Sequence, residues 1–320
     1  MMGPSGRAAW VGALVAAIVT LPGLGVGTLW DNSETAYGEV AREIILLHDP
    51  IVLHFNGAPW FVQPPLYFWL AAAFANVLGV GELAMRLPSA LATIAMAGAV
   101  GYVVAALTTS RAALLAALVL STSLMQAVVG RLAIMDALLD LAVALAILSW
   151  FAALRGGSAR WWYAGWVALG VGTLTKGLVA LVVTAIVIGA WAIWESRSAR
   201  GVIVPRPGRW LLGILIFLSI VAPWAIAVVH AAGPVALGEL VGHYTVGRYL
   251  GTIENQSGPI YYYLPVVIIA TFPWFPFLFP AALEAFRETR EHLNGSLARL
   301  SLAWAIVPFV FFSLAQTKMP

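Results

Sequence analysis

From its first residues the chain alternates long apolar runs with short polar joints. The runs are built from Ala, Leu, Val and Ile, and many extend about 17–25 residues without a charge, the length a helix needs to cross the hydrocarbon core of a bilayer. A segment in lipid must satisfy its own backbone hydrogen bonds, so helices are the expected form. The runs lack the period-2 alternation of an outer-membrane barrel strand. Nine spans are predicted, at about 9–29, 87–108, 112–130, 137–154, 161–175, 177–194, 210–231, 262–283 and 298–316. The first begins behind Arg7. A cleaved signal peptide would start the same way, but no small-residue cleavage site stands out after it, so it is read as a retained span.

The joint between the first two spans, residues 30–86, is long and holds the richest polar chemistry. Within it, 33–47 reads as an amphipathic helix. Ala36, Val40 and Ile44 share a face beside Tyr37, Ala41 and Ile45, with Glu39, Arg42 and Glu43 opposite. Such a helix can lie flat at the membrane surface. Residues 64–80 are apolar and just long enough to span, and counting them as a span would invert every later loop. The positive-inside rule decides between the two readings. With 64–80 at the interface and the N-terminus cytoplasmic, 11 of the 17 basic residues fall inside, including the joint at 195–209, and the acids favour the other side.

Composition agrees. The 320 residues are 62% hydrophobic and 10% charged, where a soluble domain carries about a quarter charged residues; a soluble fold of this size could not cover its surface. The fold class is an all-α polytopic membrane protein. The 14 tryptophans include Trp10, Trp30, Trp60, Trp161, Trp162, Trp194 and Trp210 at predicted span ends, where interfacial anchoring is expected. The absence of cysteine excludes disulfides, thiolate metal sites and Cys nucleophiles. A net charge of +3 gives no reason to expect a nucleic-acid partner. No glycine-rich nucleotide loop or internal repeat is present. The chain stops at Gln316-Thr317-Lys318-Met319-Pro320, directly after a span, and is expected to be part of a longer protein.

That single choice of sidedness gathers the ionisable residues. Asp31 and Glu34 follow the first span, Asp136 heads the fourth with Asp140 one turn deeper, and Lys176 sits between the fifth and sixth. His243 and Arg248 lie in the joint at 232–261, and Lys318 follows the ninth span. All fall on the outer face. Ionisable groups at the bilayer are costly and face a cavity or one another. An interfacial carboxylate can deprotonate an acceptor hydroxyl. Lys176, Arg248 and Lys318 are the cations that could bind the phosphate of a lipid-linked donor and stabilise its leaving charge. Plainer readings stand beside these. Arg86 and Arg131 fit anchors that snorkel. Glu39 and Glu43 fit a solvated face within reach of Arg42. Asp140 fits a cap or a hydrogen bond inside the bundle. The histidines fit structural or solvated positions. His243 has no companions that would complete a ligand set for a divalent metal, and no cofactor is called for.

Several segments resemble one family in order along the whole chain. Residues 30–43, Trp-Asp-Asn-Ser-Glu-Thr-Ala-Tyr-Gly-Glu-Val-Ala-Arg-Glu, look like the first outer loop of bacterial aminoarabinose transferases. The likeness continues through Asn56-Gly57-Ala58-Pro59-Trp60 to Gln63-Pro64-Pro65, and recurs at Arg86-Leu87-Pro88, Met135-Asp136, Thr175-Lys176-Gly177, His243 to Arg248, Tyr262-Tyr263-Leu264-Pro265 and Lys318-Met319-Pro320. These transferases are GT-C fold glycosyltransferases related to the protein O-mannosyltransferases. The resemblance implies a donor sugar on polyprenyl phosphate, a lipid, glycan or protein acceptor, and transfer with inversion outside the bacterial cytoplasmic membrane. It also implies that residues 1–320 form an N-terminal transmembrane catalytic module, with further spans and an outer domain beyond it. On this reading Glu34 or Asp31 is the base and Asp136 orients the acceptor or supports the first loop. Tyr37, His243 and Gln63 contact substrate.

Two departures stand out. Ser33-Glu34 occupies the position of an Asp-Glu pair. Val62-Gln63 replaces an acid followed by Lys, and that acid belongs to a metal-binding arrangement in the family. The reaction class therefore carries over and the particular sugar does not. From other classes, a transporter or flippase would show midplane charges and repeated halves, and a non-catalytic scaffold would lack a converging polar site.

Overall fold

The computed structural model describes residues 3–30, 32–198, 201–247, 249, 251, 257–290 and 295–318. Helices dominate: α1 (Pro4–Thr20), α2 (Asn32–Leu47), α3 (Leu66–Leu78), α4 (Glu82–Leu107), α5 (Ser110–Thr122), α6 (Leu124–Val129), α7 (Asp136–Leu154), α8 (Ala159–Lys176), α9 (Leu178–Ser196), α10 (Pro207–Ala232) and α11 (Val235–Gly238). A π-helix follows over Glu239–Gly247, then α12 (Tyr263–Ala270), a 3-10 turn at Phe275–Phe277, α13 (Leu278–Glu288) and α14 (Gly295–Leu314).

Five of these, α4, α7, α9, α10 and α14, are long and apolar enough to cross a membrane, and a sixth counts if a bent pair is one span. The nine straight spans read from the sequence are therefore not all present as such. α1 and α5 have 17 and 13 residues. The run at 112–130 breaks at Ser123, whose ψ of 134° is extended backbone. The run at 262–283 bends by 113° between α12 and the Phe275–Glu288 helix. Pro273, Pro276 and Pro280 crowd this region, and each removes a backbone donor that a continuous helix would use. The bend is held where Leu124 N donates to Phe272 O at 2.9 Å and Trp274 Nε1 to Thr122 Oγ1 at 2.9 Å.

The first long joint is more ordered than its polarity suggests. α3 follows Pro65 and has 13 residues, about 20 Å of helix and short of a bilayer core. It buries Tyr67, Phe68, Ala71 and Ala75 against Val40 and Ala41 of α2 and Ala84 and Met85 of α4. The apolar face of α2 is thus spent on protein. A two-residue hairpin pairs His54 with Pro59 and Phe55 with Ala58, the one departure from an all-α chain among the described residues. Its turn places Asn56 and Gly57 at φ of 53° and 77°, the Asn-Gly geometry of a two-residue hairpin loop.

Tryptophans are also used differently from the interfacial expectation. Of those expected at span ends, Trp10, Trp30, Trp161 and Trp210 are exposed, but Trp162 is buried, together with Trp150, Trp166 and Trp191. Trp150, Trp162, Trp166 and Trp210 form a continuous ring cluster joining α7, α8 and α10. Glycines make room for it. A Cβ on Gly165 would lie 2.3 Å from the Trp150 ring, and one on Gly213 would lie 2.1 Å from Trp166 Nε1. Gly213→Leu is expected to cost about 1–3 kcal/mol or more through overpacking. It should appear as a lower detergent thermal midpoint, while Gly208→Ala, with nothing within 4 Å, should leave the midpoint unchanged.

At the same end of the bundle, fully buried Glu195 on α9 accepts from Arg299 Nε of α14 at 2.8 Å and stands 3.6 Å from Arg155 Nη1. Arg299 Nη1 also donates to Thr289 O at 2.6 Å. This network holds α9, α14 and the end of α7 in register.

Candidate functional site

The opposite end of the bundle carries the polar chemistry. Asp136 begins α7 and Lys176 ends α8, so two packed helices present an acid and a base at one level. Lys176 Nζ donates to Asp136 Oδ1 at 2.5 Å. The pair is open, with side chains 38% and 27% exposed, and Asp136 Oδ2 has no hydrogen bond to a described residue. Lys176 also lies within electrostatic reach of Asp140 and of the Tyr37 phenol. Tyr37 comes from α2 and sits among aromatic rings, 5.5 Å from Phe68 and 6.3 Å from Trp60 and Tyr67 between centroids. Beneath them Tyr67 is buried and donates to Met85 O at 2.8 Å. Burial raises its phenol far above the usual range, so it acts as a fixed donor.

A small cavity is lined by Trp60, Phe61 and Gln63 of the first joint and by Trp224, Val228 and Leu240. Gln63 is 8% exposed and makes no hydrogen bond to a described residue. Two indoles hold the walls in place: Trp224 Nε1 donates to Ile51 O at 3.0 Å and Trp69 Nε1 to Pro50 O at 2.7 Å. Asp49 Oδ1 shapes that turn by accepting from Ile51 N and Val52 N, each at 3.0 Å.

Glu34 does not join this open group, which corrects its expected role as base. It is fully buried and both its oxygens are occupied. Oε1 accepts from Arg86 Nε at 3.0 Å and Ala133 N at 2.6 Å; Oε2 accepts from Arg86 Nη2 at 3.2 Å and Trp30 N at 3.4 Å. Arg86 further donates to Leu24 O, Val26 O and Thr28 O at 3.0–3.3 Å. It is therefore no snorkelling anchor but the bolt that ties α1's exit loop, α2, α4 and the approach to α7. With no surface exposed, Glu34 has no lone pair to offer an acceptor hydroxyl. Arg131 likewise donates to Val19 O and Thr20 O at 3.2 and 3.0 Å, closing the C-terminus of α1.

Lys318 is also engaged elsewhere. It is buried, donates to Phe312 O at 3.2 Å and Ser313 O at 2.6 Å, and lies 5.6 Å over the Tyr263 ring. These contacts cap α14, and no described contact links Lys318 to the Asp136–Lys176 pair. Asp31 and Arg248 lie outside the described residues, as does the side chain of His243, whose backbone forms part of the π-helix. On the outward face of α2, Arg42 chelates Glu39 at 2.6 and 2.8 Å, and that hydrogen bonding holds the Glu39 carboxyl below its usual range. Glu43 is buried and accepts from Gly57 N at 2.9 Å, bracing the hairpin turn instead of facing solvent. Among the described residues no three His, Cys, Asp or Glu side chains stand close enough to hold a metal. Sequence reasoning missed Arg86 and Tyr67 as organisers of the site and weighed Asp140 as a simple cap. Asp140 had one usable signal, a second acid one turn from Asp136 within an apolar run.

Residues 62–226, just over half of the chain and the stretch that holds Gln63, Asp136 and Lys176, match the family model described as dolichyl-phosphate-mannose-protein mannosyltransferase. The chain belongs to this family. Its similarity extends to an undecaprenyl phosphate-alpha-4-amino-4-deoxy-L-arabinose arabinosyl transferase of Edwardsiella ictaluri, 32% identical over 313 residues, covering 95% of this chain and 54% of that protein. The fold is that of ArnT from Cupriavidus metallidurans, solved bound to undecaprenyl phosphate: TM-score 0.82, 25% identity, covering 97% of this chain and 56% of that one. The Pmt1-Pmt2 protein O-mannosyltransferase complex of S. cerevisiae, solved with its sugar donor, shares the fold at TM-score 0.50 and 18% identity, covering 75% of this chain and 35% of that one. The chain spans about half the length of the relatives it matches. The expected GT-C type architecture is thereby established for this mannosyltransferase-family chain.

Proposed function

We propose that residues 1–320 are the N-terminal catalytic module of an integral membrane glycosyltransferase that moves a sugar from a polyprenyl-phosphate donor to a lipid, glycan or protein acceptor. The observation that carries the reading is the open Asp136–Lys176 pair at 2.5 Å, the polar opening of two largely apolar helices, in a fold whose similar structure was solved with undecaprenyl phosphate. In this reading the shorter helices α1, α5 and α8 cross the bilayer together with the longer ones, α2 and α3 lie at its outer interface, and the site faces the periplasm. The enzyme is then a multi-pass protein of a bacterial cytoplasmic membrane. The excess of basic residues in the opposite joints supports that sidedness.

In the reaction an acceptor hydroxyl attacks the anomeric carbon as its bond to the phosphate oxygen breaks, and the sugar inverts. Asp136 Oδ2 accepts the hydroxyl hydrogen bond and then the proton, while Lys176 holds Oδ1 and keeps the carboxylate aimed. Lys has three donors, so Lys176 retains two for the phosphate leaving with its electron pair. Arg248 is a second cation for that phosphate, Asp31 a second candidate base, and Tyr37, Gln63 and His243 are substrate contacts. A flippase would need a polar path through the bundle. The α7 stripe below Asp136 instead closes at Val143 and Ala144, 9% and 2% exposed, which favours the transferase.

The test is transfer of labelled sugar from polyprenyl phosphate in proteoliposomes of the purified protein. Label should reach an acceptor, and Asp136→Asn should lower the rate about 10²-fold or more. Folded protein that transfers no label from any polyprenyl-phosphate sugar would overturn the proposal.

A further inference from the structure

Asp140 lies one turn below Asp136 on α7, about 6 Å deeper at 1.5 Å of rise per residue. α7 is the most enclosed of the five long apolar helices, with 67% of its window buried. Asp140 is nevertheless exposed and makes no hydrogen bond to a described residue. Positions 136, 140, 143, 144 and 147 share one face. Along it the opening ends abruptly, because Val143, Ala144 and Ile147 are 9%, 2% and 0% exposed. A stripe facing lipid would stay exposed down the helix. Its neighbour repeats the pattern: Lys176 is partly open, while Thr173 and Leu169 on the turns beneath it are 6% and 3% exposed. The two helices are therefore open together only at the Asp136–Lys176 level, with Asp140 at the inner limit of that opening and Val143 and Ala144 buried beyond it.

Charge fixes what such an opening accepts. Lys176 is matched by Asp136, and both act on Asp140 electrostatically, leaving one carboxylate uncompensated among the described residues. An unpaired ionisable group at this depth is tolerated only against water or a polar ligand. A phosphate or carboxylate would be repelled from it; a hydroxyl or an ammonium would be held by a charge-assisted hydrogen bond.

We propose that Asp140 is a specificity-determining residue that seats the sugar of the donor, sugar downward and phosphate at the mouth, admitting non-anionic sugars and excluding uronates. The inference rests on the transferase reading above. One turn of helix separates the two levels, enough for a sugar ring to lie between the Asp140 carboxylate and the phosphate beside Lys176. The anomeric carbon then sits at the level of Asp136.

Two readouts test it on the protein purified from membranes. In thermal unfolding in detergent, glucose and glucosamine should raise the midpoint and glucuronate should not. Asp140→Asn should keep the sugar-free midpoint, since the carboxylate holds no part of the fold, and lose the response. Asp140→Ser serves as a second variant. In transfer assays with polyprenyl-phosphate hexose, Asp140→Asn should raise KM about ten- to hundredfold with kcat nearly unchanged, and polyprenyl-phosphate hexuronate should become a substrate. A glucuronate response equal to that of glucose, no response to any sugar, or an unaltered Asn variant in both assays would overturn the inference. An Asp140-dependent sugar response without any transfer leaves the subsite standing and removes the transferase reading. Transfer that ignores Asp140 does the reverse.

Discussion

Arg86→Met is expected to abolish most folded protein, not merely its activity. The substitution would leave Glu34 fully buried, with the loss of two hydrogen bonds at 3.0 and 3.2 Å, and would release three loop carbonyls that Arg86 now holds. Removing one partner of a buried ion pair costs about 3–5 kcal/mol, a large part of the roughly 5–15 kcal/mol that keeps a typical protein folded. Glu34→Gln keeps the shape and one oxygen acceptor, and should cost less, about 1–3 kcal/mol. The measurement is the monodisperse yield from membranes and the thermal midpoint in detergent. A Glu34→Gln protein with a wild-type midpoint and no transfer would instead return Glu34 to the chemistry.

Asp136→Asn and Lys176→Met should show the converse pattern. Both side chains are partly open, so neither leaves a fully buried partner stranded, and midpoints should fall only slightly. Transfer should drop about 10²–10⁴-fold when the proton acceptor is lost, and about 10²–10³-fold when the cation at the leaving phosphate is lost. A rate within about threefold of wild type for Asp136→Asn would exclude it as the group that receives the proton, since general-base contributions are far larger. The two pairs thus separate by readout: Glu34–Arg86 through stability, Asp136–Lys176 through rate.

The meeting of Asp136 and Lys176 at one end of the bundle was legible because each is a charge at the edge of an apolar run, and hydrocarbon penalises such a charge unless something uses it. The placing of the other polar and aromatic residues was not. Glu34 shares an amphipathic helix with three other charges, and nothing local marks it as different from Glu39. Its partner Arg86 is 52 positions away and its third donor, Ala133 N, 99, separations at which no helical or strand period operates. Trp162 reads equally well as an interfacial anchor, because the ring cluster that takes it in joins α7, α8 and α10, with room for its other rings made by Gly165 and by Gly213 on another helix. Lys318 follows a span as a phosphate-binding lysine could, yet the carbonyls at the end of α14 take its protons first.

By itself, then, the sequence determined the solvent. Uninterrupted apolar runs can be stable only in lipid, and only as helices, because each backbone donor must find its acceptor within the segment. It also determined which charges are costly enough to need a purpose, and, through ordered short motifs, the family. The tertiary structure alone decided which of those charges cancel in the interior and which remain open. That outcome depends on distances between elements far apart in the chain: Arg86 reaches Glu34, which lies fully buried, while Lys176 reaches Asp136 at the open end of two packed helices and leaves it accessible.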